Sequence, residues 1–106
     1  MSYRYMRLII MFDLPMLTEN DRRSYSVFRS FLLKSGFFMM QESIYCKLNQ
    51  NQSDLESVLN RIRSNAPNRG VIQALTITEK QFSKIEYISG SPHTDVIHST
   101  DRIIFL

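Results

Sequence analysis

In YRYMRLIIMFDLP, residues 3–15, aromatic and branched side chains fill six of the ten positions before an Asp and a Pro end the run. Met6, Leu8, Ile10 and Phe12 fall on one side of an extended chain, and Tyr5, Arg7, Ile9 and Met11 on the other. The unbroken apolar stretch Leu8–Phe12 predicts a central strand covered on both faces, because a half-exposed strand would alternate apolar with polar. Pro15 has no N–H for a ladder, so the strand stops near Asp13 and leaves that carboxylate at its C-terminal end.

The rest of the architecture is read outward from this strand. Thr18 with Asp21 three residues on is a variant capping box, and Tyr25, Val27, Phe28, Phe31 and Leu32 supply an apolar stripe. A helix is therefore predicted over residues 19–35, with Gly36 as its left-handed stop. Phe37–Met40 and Ile44–Leu48, interrupted by Gln41, Glu42 and Ser43, read as two strands joined by a tight turn. Ser53 with Glu56 is read as the cap of a second helix over residues 54–65, since Leu55, Val58, Leu59 and Ile62 keep helical spacing. The segment APNRG ends that helix, Val71–Thr78 is rich in β-formers, and Thr78 with Gln81 caps one or two further helical turns. RIIFL, residues 102–106, is a short terminal strand in need of an edge.

The order βαββαβ with right-handed crossovers gives an α+β, ferredoxin-like sandwich, with both helices on one face of a four-stranded antiparallel sheet. The other face is left bare, and Ile9, Met11 and Tyr45 are assigned to it. A homodimer packed through the sheet faces would cover them. Residues 1–106 thus form one domain, in which residues 79–106 are an extension that completes the dimer and carries the additional C-terminal strand.

Composition agrees with a small soluble protein. The chain has 106 residues, 43% apolar and 22% charged, which is ordinary globular usage. A single cysteine, Cys46, excludes an internal disulfide and a Cys-based zinc cluster and suits a reducing cytoplasm. No apolar run reaches the roughly 20 residues of a membrane span, and no signal peptide is recognisable, so no membrane partner is expected. The formal charge of +3 is compatible with a nucleic-acid partner without requiring one.

Taken together, MFDLP at 11–15, DRRSY at 21–25, QESIY at 41–45, GVIQALTIT at 70–78, TEKQF at 78–82 and the terminal RIIFL resemble the second family of CRISPR-associated (Cas) proteins over nearly the whole chain. The likeness is strongest to the subgroup found beside single-effector, type II systems. The resemblance implies a homodimeric adaptor of spacer acquisition that bridges dimers of the CRISPR integrase subunit and holds double-stranded DNA for insertion into the repeat array. It also implies the alternative of a metal-dependent endonuclease acting on single-stranded RNA or double-stranded DNA, with Asp13 as metal ligand. A ferredoxin-like toxin or small-ligand regulatory domain is a third reading, since this fold hosts many functions.

For the nuclease, Asp13 is the candidate catalytic and metal-binding residue. A hard cation such as Mg²⁺ wants oxygen ligands, and a two-fold axis would bring two Asp13 carboxylates to one ion. The competing reading has Asp13 accept backbone N–H bonds in the turn before Pro15. Arg22 and Arg23 open the first helix a few residues later, where their forks reach phosphates, and Ser43 offers a hydroxyl at the hairpin. Arg61 and Arg63, with Arg69 nearby, form a second basic cluster at the end of the second helix, where the dipole also favours cations. His93 and His98 flank Asp95 in a polar loop without metal-ligand spacing, and Cys46 reads as a buried structural thiol.

Overall fold

A computed structural model describes residues 5–92. Its elements are β1 (Met6–Asp13), α1 (Glu19–Lys34), β2 (Phe38–Gln41), β3 (Ile44–Asn49), α2 (Gln52–Asn65), β4 (Val71–Thr78) and α3 (Glu79–Phe82). The sheet order is β2-β3-β1-β4 with every neighbour antiparallel, the ferredoxin-like arrangement. The expected terminal strand, and the loop carrying His93, Asp95 and His98, lie outside the described residues.

β1 is interior, as its composition predicts: Arg7, Leu8, Ile9, Ile10 and Phe12 are all buried. Leu8, Ile10 and Phe12 meet Phe28, Leu32, Leu55, Val58 and Ile62 of the two long helices in one core. The capping box of α1 forms as read, with the Thr18 hydroxyl accepting from Asp21 N–H while the Asp21 carboxylate accepts from Thr18 N–H. α2 differs. Its cap is Asn51, whose side-chain oxygen accepts from Asp54 N–H at 2.9 Å, so the helix begins at Gln52 and not after Ser53. Asparagine and serine are near-equal caps, and β3 runs on to Asn49, leaving the chain to turn sooner than the Ser53 pattern suggested.

Tyr45 is a second correction. Its Cα pairs with Ile10, so it shares the helix-covered face, fully buried and stacked on Phe12 at 5.7 Å. A one-residue difference in strand register inverts every side chain, and the regular pairing of β1 with β3 puts Tyr45 on the face of Ile10. The open face is formed instead by Arg7, Ile9, Met11 and Asp13 with their partners Leu48, Cys46 and Ile44 on β3 and Ile77, Leu75, Gln73 and Val71 on β4. Val71 and Leu75 remain about half exposed there, at 56% and 48%.

The lead into β4 requires glycine. Gly70 has φ +95°, and a Cβ on it would stand 2.7 Å from the Asp13 carbonyl oxygen and 2.8 Å from Leu14 Cδ2. Gly70→Ala is expected to destabilise by about 2 kcal/mol or more, adding overlap to the left-handed penalty. Gly90, at φ +81° with open space around it, is the control and should cost about 1 kcal/mol. Urea midpoints of the two variants that agree would show the Asp13 contact to be without consequence.

Candidate functional site at the end of the central strand

The antiparallel order gathers the candidate residues at one end of the sheet. The C-terminus of β1, the start of α1, the β2–β3 turn, the end of α2 and the start of β4 all lie there, because each successive element reverses direction. Asp13 is exposed and pairs in register with Val71. Its side chain follows Arg7, Ile9 and Met11 onto the open face by the two-residue alternation of a strand. Among the described residues the Asp13 carboxylate has no hydrogen-bond or ion-pair partner, so the turn-forming role weighed against a ligand role is not what the structure contains.

Ser43 is brought close. Its carbonyl accepts the Phe12 N–H at 3.0 Å, which places the hairpin turn against the last residues of β1. Arg22 is partly engaged, its Nη1 donating to the carbonyls of Met16 and Leu17 at 3.2 and 3.3 Å. It thereby braces the loop between Asp13 and α1 while its side chain stays exposed; Arg23 is exposed beside it. Arg61 and Arg63 lie exposed in the last turns of α2, with Arg63 donating to Asn60 Oδ1 at 2.8 Å. Five residues then carry the chain from α2 to Val71, opposite Asp13.

Arg69, four residues past the end of α2, is engaged by an ion pair. Its Nη1 reaches Asp21 Oδ1 at 2.6 Å and ties the loop before β4 to the start of α1. Burial alone would raise the Asp21 carboxyl, but the Thr18 backbone and hydroxyl and the Arg69 guanidinium outweigh it and hold the acid below its usual range. A charge pair 48 residues apart in sequence has no local signature, so spacing did not reveal this partner of Arg69.

Sequence reasoning also missed Arg7, at the far end of β1. Its Nε and Nη2 donate to the two carboxylate oxygens of Glu79 at 2.6 and 3.0 Å, and its Nη1 donates to Cys46 Sγ at 3.8 Å. The guanidinium lies 4.3 Å from the Phe82 ring centroid and 5.8 Å from that of Phe38. α3 thus roofs one end of the open face and buries a cation that would be costly there without its carboxylate. Burial pushes the Cys46 thiol up despite Arg7, in keeping with a structural thiol.

The hydrogen bonds from Arg7 draw the Glu79 carboxyl below its usual range, against the opposing effect of burial. A depressed carboxylate binds fewer protons in the native state than in the unfolded chain. Its contribution is therefore fully present above the usual glutamate value, about 4.3, and is lost as pH falls through the lowered one. Thermal unfolding followed from neutral pH to below pH about 4 should show this loss, shared with Asp21. Glu79→Gln should flatten its share of the slope; a slope unchanged by that substitution would contradict the assignment.

The described residues hold no group of three or more His, Cys, Asp or Glu placed to bind a metal ion. One exposed carboxylate is a fitting single donor for a hard oxygen-seeking cation but not a complete site. No helix among the described residues is long and apolar enough to cross a membrane.

The fold and this end of it define a ferredoxin-like α+β sandwich presenting a carboxylate unpartnered among the described residues, with exposed arginines at the same end of the sheet. The family model described as CRISPR associated protein Cas2 matches residues 6–85. A protein of Treponema denticola named CRISPR-associated endoribonuclease Cas2 is 44% identical over 101 residues, covering 95% of this chain and all of that protein. Proteins of the same name from Streptococcus mutans and Ligilactobacillus salivarius are 44% and 40% identical, each over 95% of this chain and over 93% and 100% of their own lengths. The chain belongs to the CRISPR associated protein Cas2 family.

Proposed function

We propose that the protein is a homodimeric, Mg²⁺-dependent endonuclease of a CRISPR system, acting on single-stranded RNA. The observation that carries this reading is the exposed Asp13 carboxylate, without a partner among the described residues, at the end of an otherwise buried strand, flanked by the β2–β3 turn and the loop before β4. The relatives' shared name, endoribonuclease, supports the substrate class. The half-exposed Val71 and Leu75 on the open face support a second copy packed there. In that dimer, completed by residues 79–106, the two Asp13 carboxylates share the cation. When bound, Mg²⁺ would supply Lewis-acid polarisation of the phosphodiester. The chain's own work is to hold that ion through Asp13, to steady the scissile phosphate with Arg22 or Arg23, and to orient it with the Ser43 hydroxyl.

A second reading is favoured by the exposed Arg22, Arg23, Arg61 and Arg63 at one end of the molecule. These suit backbone contacts to double-stranded DNA without base readout, as in an adaptor that bridges dimers of the CRISPR integrase subunit during spacer acquisition in the cytoplasm. Family membership favours both readings over a toxin or regulatory domain.

Wild-type protein incubated with labelled single-stranded RNA and duplex DNA, with Mg²⁺ or with EDTA, separates the two. Cleavage of RNA that EDTA abolishes is the expected result. No cleavage of either substrate, together with steeply salt-dependent duplex binding and co-purification with the integrase subunit, would remove the endonuclease reading and leave the adaptor.

A further inference from the structure

Past the end of β1, a cleft of about 290 Å³ opens between the Leu14–Pro15 turn, the first turns of α1 and the Pro67–Arg69 loop. Leu14, Pro15 and Pro67 give it flat apolar walls, while Asn20, Ser24 and Asn68 supply polar groups. Asp21 also lines it, buried, with one oxygen taken by Arg69 and the other by the Thr18 N–H.

That ion pair decides the chemistry of the cleft. Asp21 and Arg69 neutralise each other and both Asp21 oxygens are engaged, so the pair gives the lining no net charge with which to select an ion, and an uncharged guest suits it. The carboxamides of Asn20 and Asn68 make no side-chain hydrogen bond among the described residues. Each therefore offers a donor and an acceptor in one plane, the pattern that pairs with the edge of a nucleobase. The Arg69 side chain is 60% exposed beside them, and a guanidinium plane stacks on bases. Bases become available to such clefts when a single strand splays them out, which a duplex does not allow.

We propose that this cleft is a subsite for one base of a single-stranded nucleic acid whose backbone passes the end of β1. The inference rests on the endonuclease reading and deepens it, because it names what such a single strand presents to the protein besides its phosphates.

The test is a titration of full-length, ¹⁵N-labelled Asp13→Asn protein with the four ribonucleoside 5′-monophosphates and with ribose 5-phosphate, followed by NMR. The nucleotides should shift the amides of Leu14, Asn20 and Asn68, one base more strongly than the others. Asn68→Ala should weaken that binding on the order of fivefold, the size of one neutral hydrogen bond, with the rest of the spectrum unchanged. Ribose 5-phosphate acting as strongly as the nucleotides would overturn the proposal, as would silence at those three amides. Equal affinity in both Asn68→Ala and Asn20→Ala would do so as well. Mapping of wild-type cleavage keeps the two readings apart. Base-dependent binding without cleavage leaves the subsite and removes the endonuclease; cleavage without base-dependent binding does the reverse.

Discussion

Replacing Asp13 by asparagine is expected to lower Mg²⁺-dependent RNA cleavage by on the order of a thousandfold, the scale on which one positioned catalytic group acts. The substitution keeps shape and removes charge. Because Asp13 is exposed and its carboxylate has no partner among the described residues, the variant should unfold at the same temperature as wild type. Loss of activity would therefore report on chemistry and not on folding. The two-fold pair proposed above sharpens the expectation: a mixed dimer would lose one donor, and the homodimer of the variant would lose both. Salt-dependent duplex binding should survive, since the arginines that attract phosphate are untouched. Cleavage by Asp13→Asn within tenfold of wild type would remove Asp13 from the mechanism, whatever the fate of the fold.

Phe12→Ala, one residue away, is expected to do the opposite and cost about 3–5 kcal/mol of stability. Phe12 is buried at the meeting of sheet and helices, edge-on to Phe28 at 5.3 Å and to Tyr25 at 5.9 Å, and stacked on Tyr45 at 5.7 Å. Truncation loses the buried area of a ring, three aromatic contacts and the filling of the space between them. Against a domain stability of roughly 5–15 kcal/mol, that is a large share of the whole. Denaturant midpoints at fixed protein concentration measure it, with Leu17→Ala as control, because Leu17 is 83% exposed. Equal midpoints for the two variants would show that Phe12 is not a centre of the core. Together the pair of substitutions tests a division of labour along β1, in which alternate residues serve the core and the open face.

Much of this was legible in the chain because the signals are local. The Thr18–Asp21 and Thr78–Gln81 caps, the left-handed Gly36 and the bounds of β4 each rest on residues within four positions of one another, and each is present as read. Helix and strand periods likewise need no knowledge of the partner they pack on. The start of α2 was misread where two caps of similar strength compete within three residues, since the choice between Asn51 and Ser53 is made by where β3 releases the chain.

Local patterns in the chain were enough for the element order over the described residues, the ferredoxin-like class, the family and the place of Asp13 at the end of a buried strand. Which side chains meet is settled only on folding. Register turned Tyr45 into the core and Cys46 toward Arg7. Closure of the sheet carried Glu79 across 72 residues to Arg7, and Arg69 across 48 to Asp21. It also left Asp13 without a partner among the described residues, although Ser43, Leu14 and Gly70 crowd its strand end. Such pairings depend on strand register and on the packing of distant segments. Their energies enter only once the chain is folded, so no window of sequence contains them.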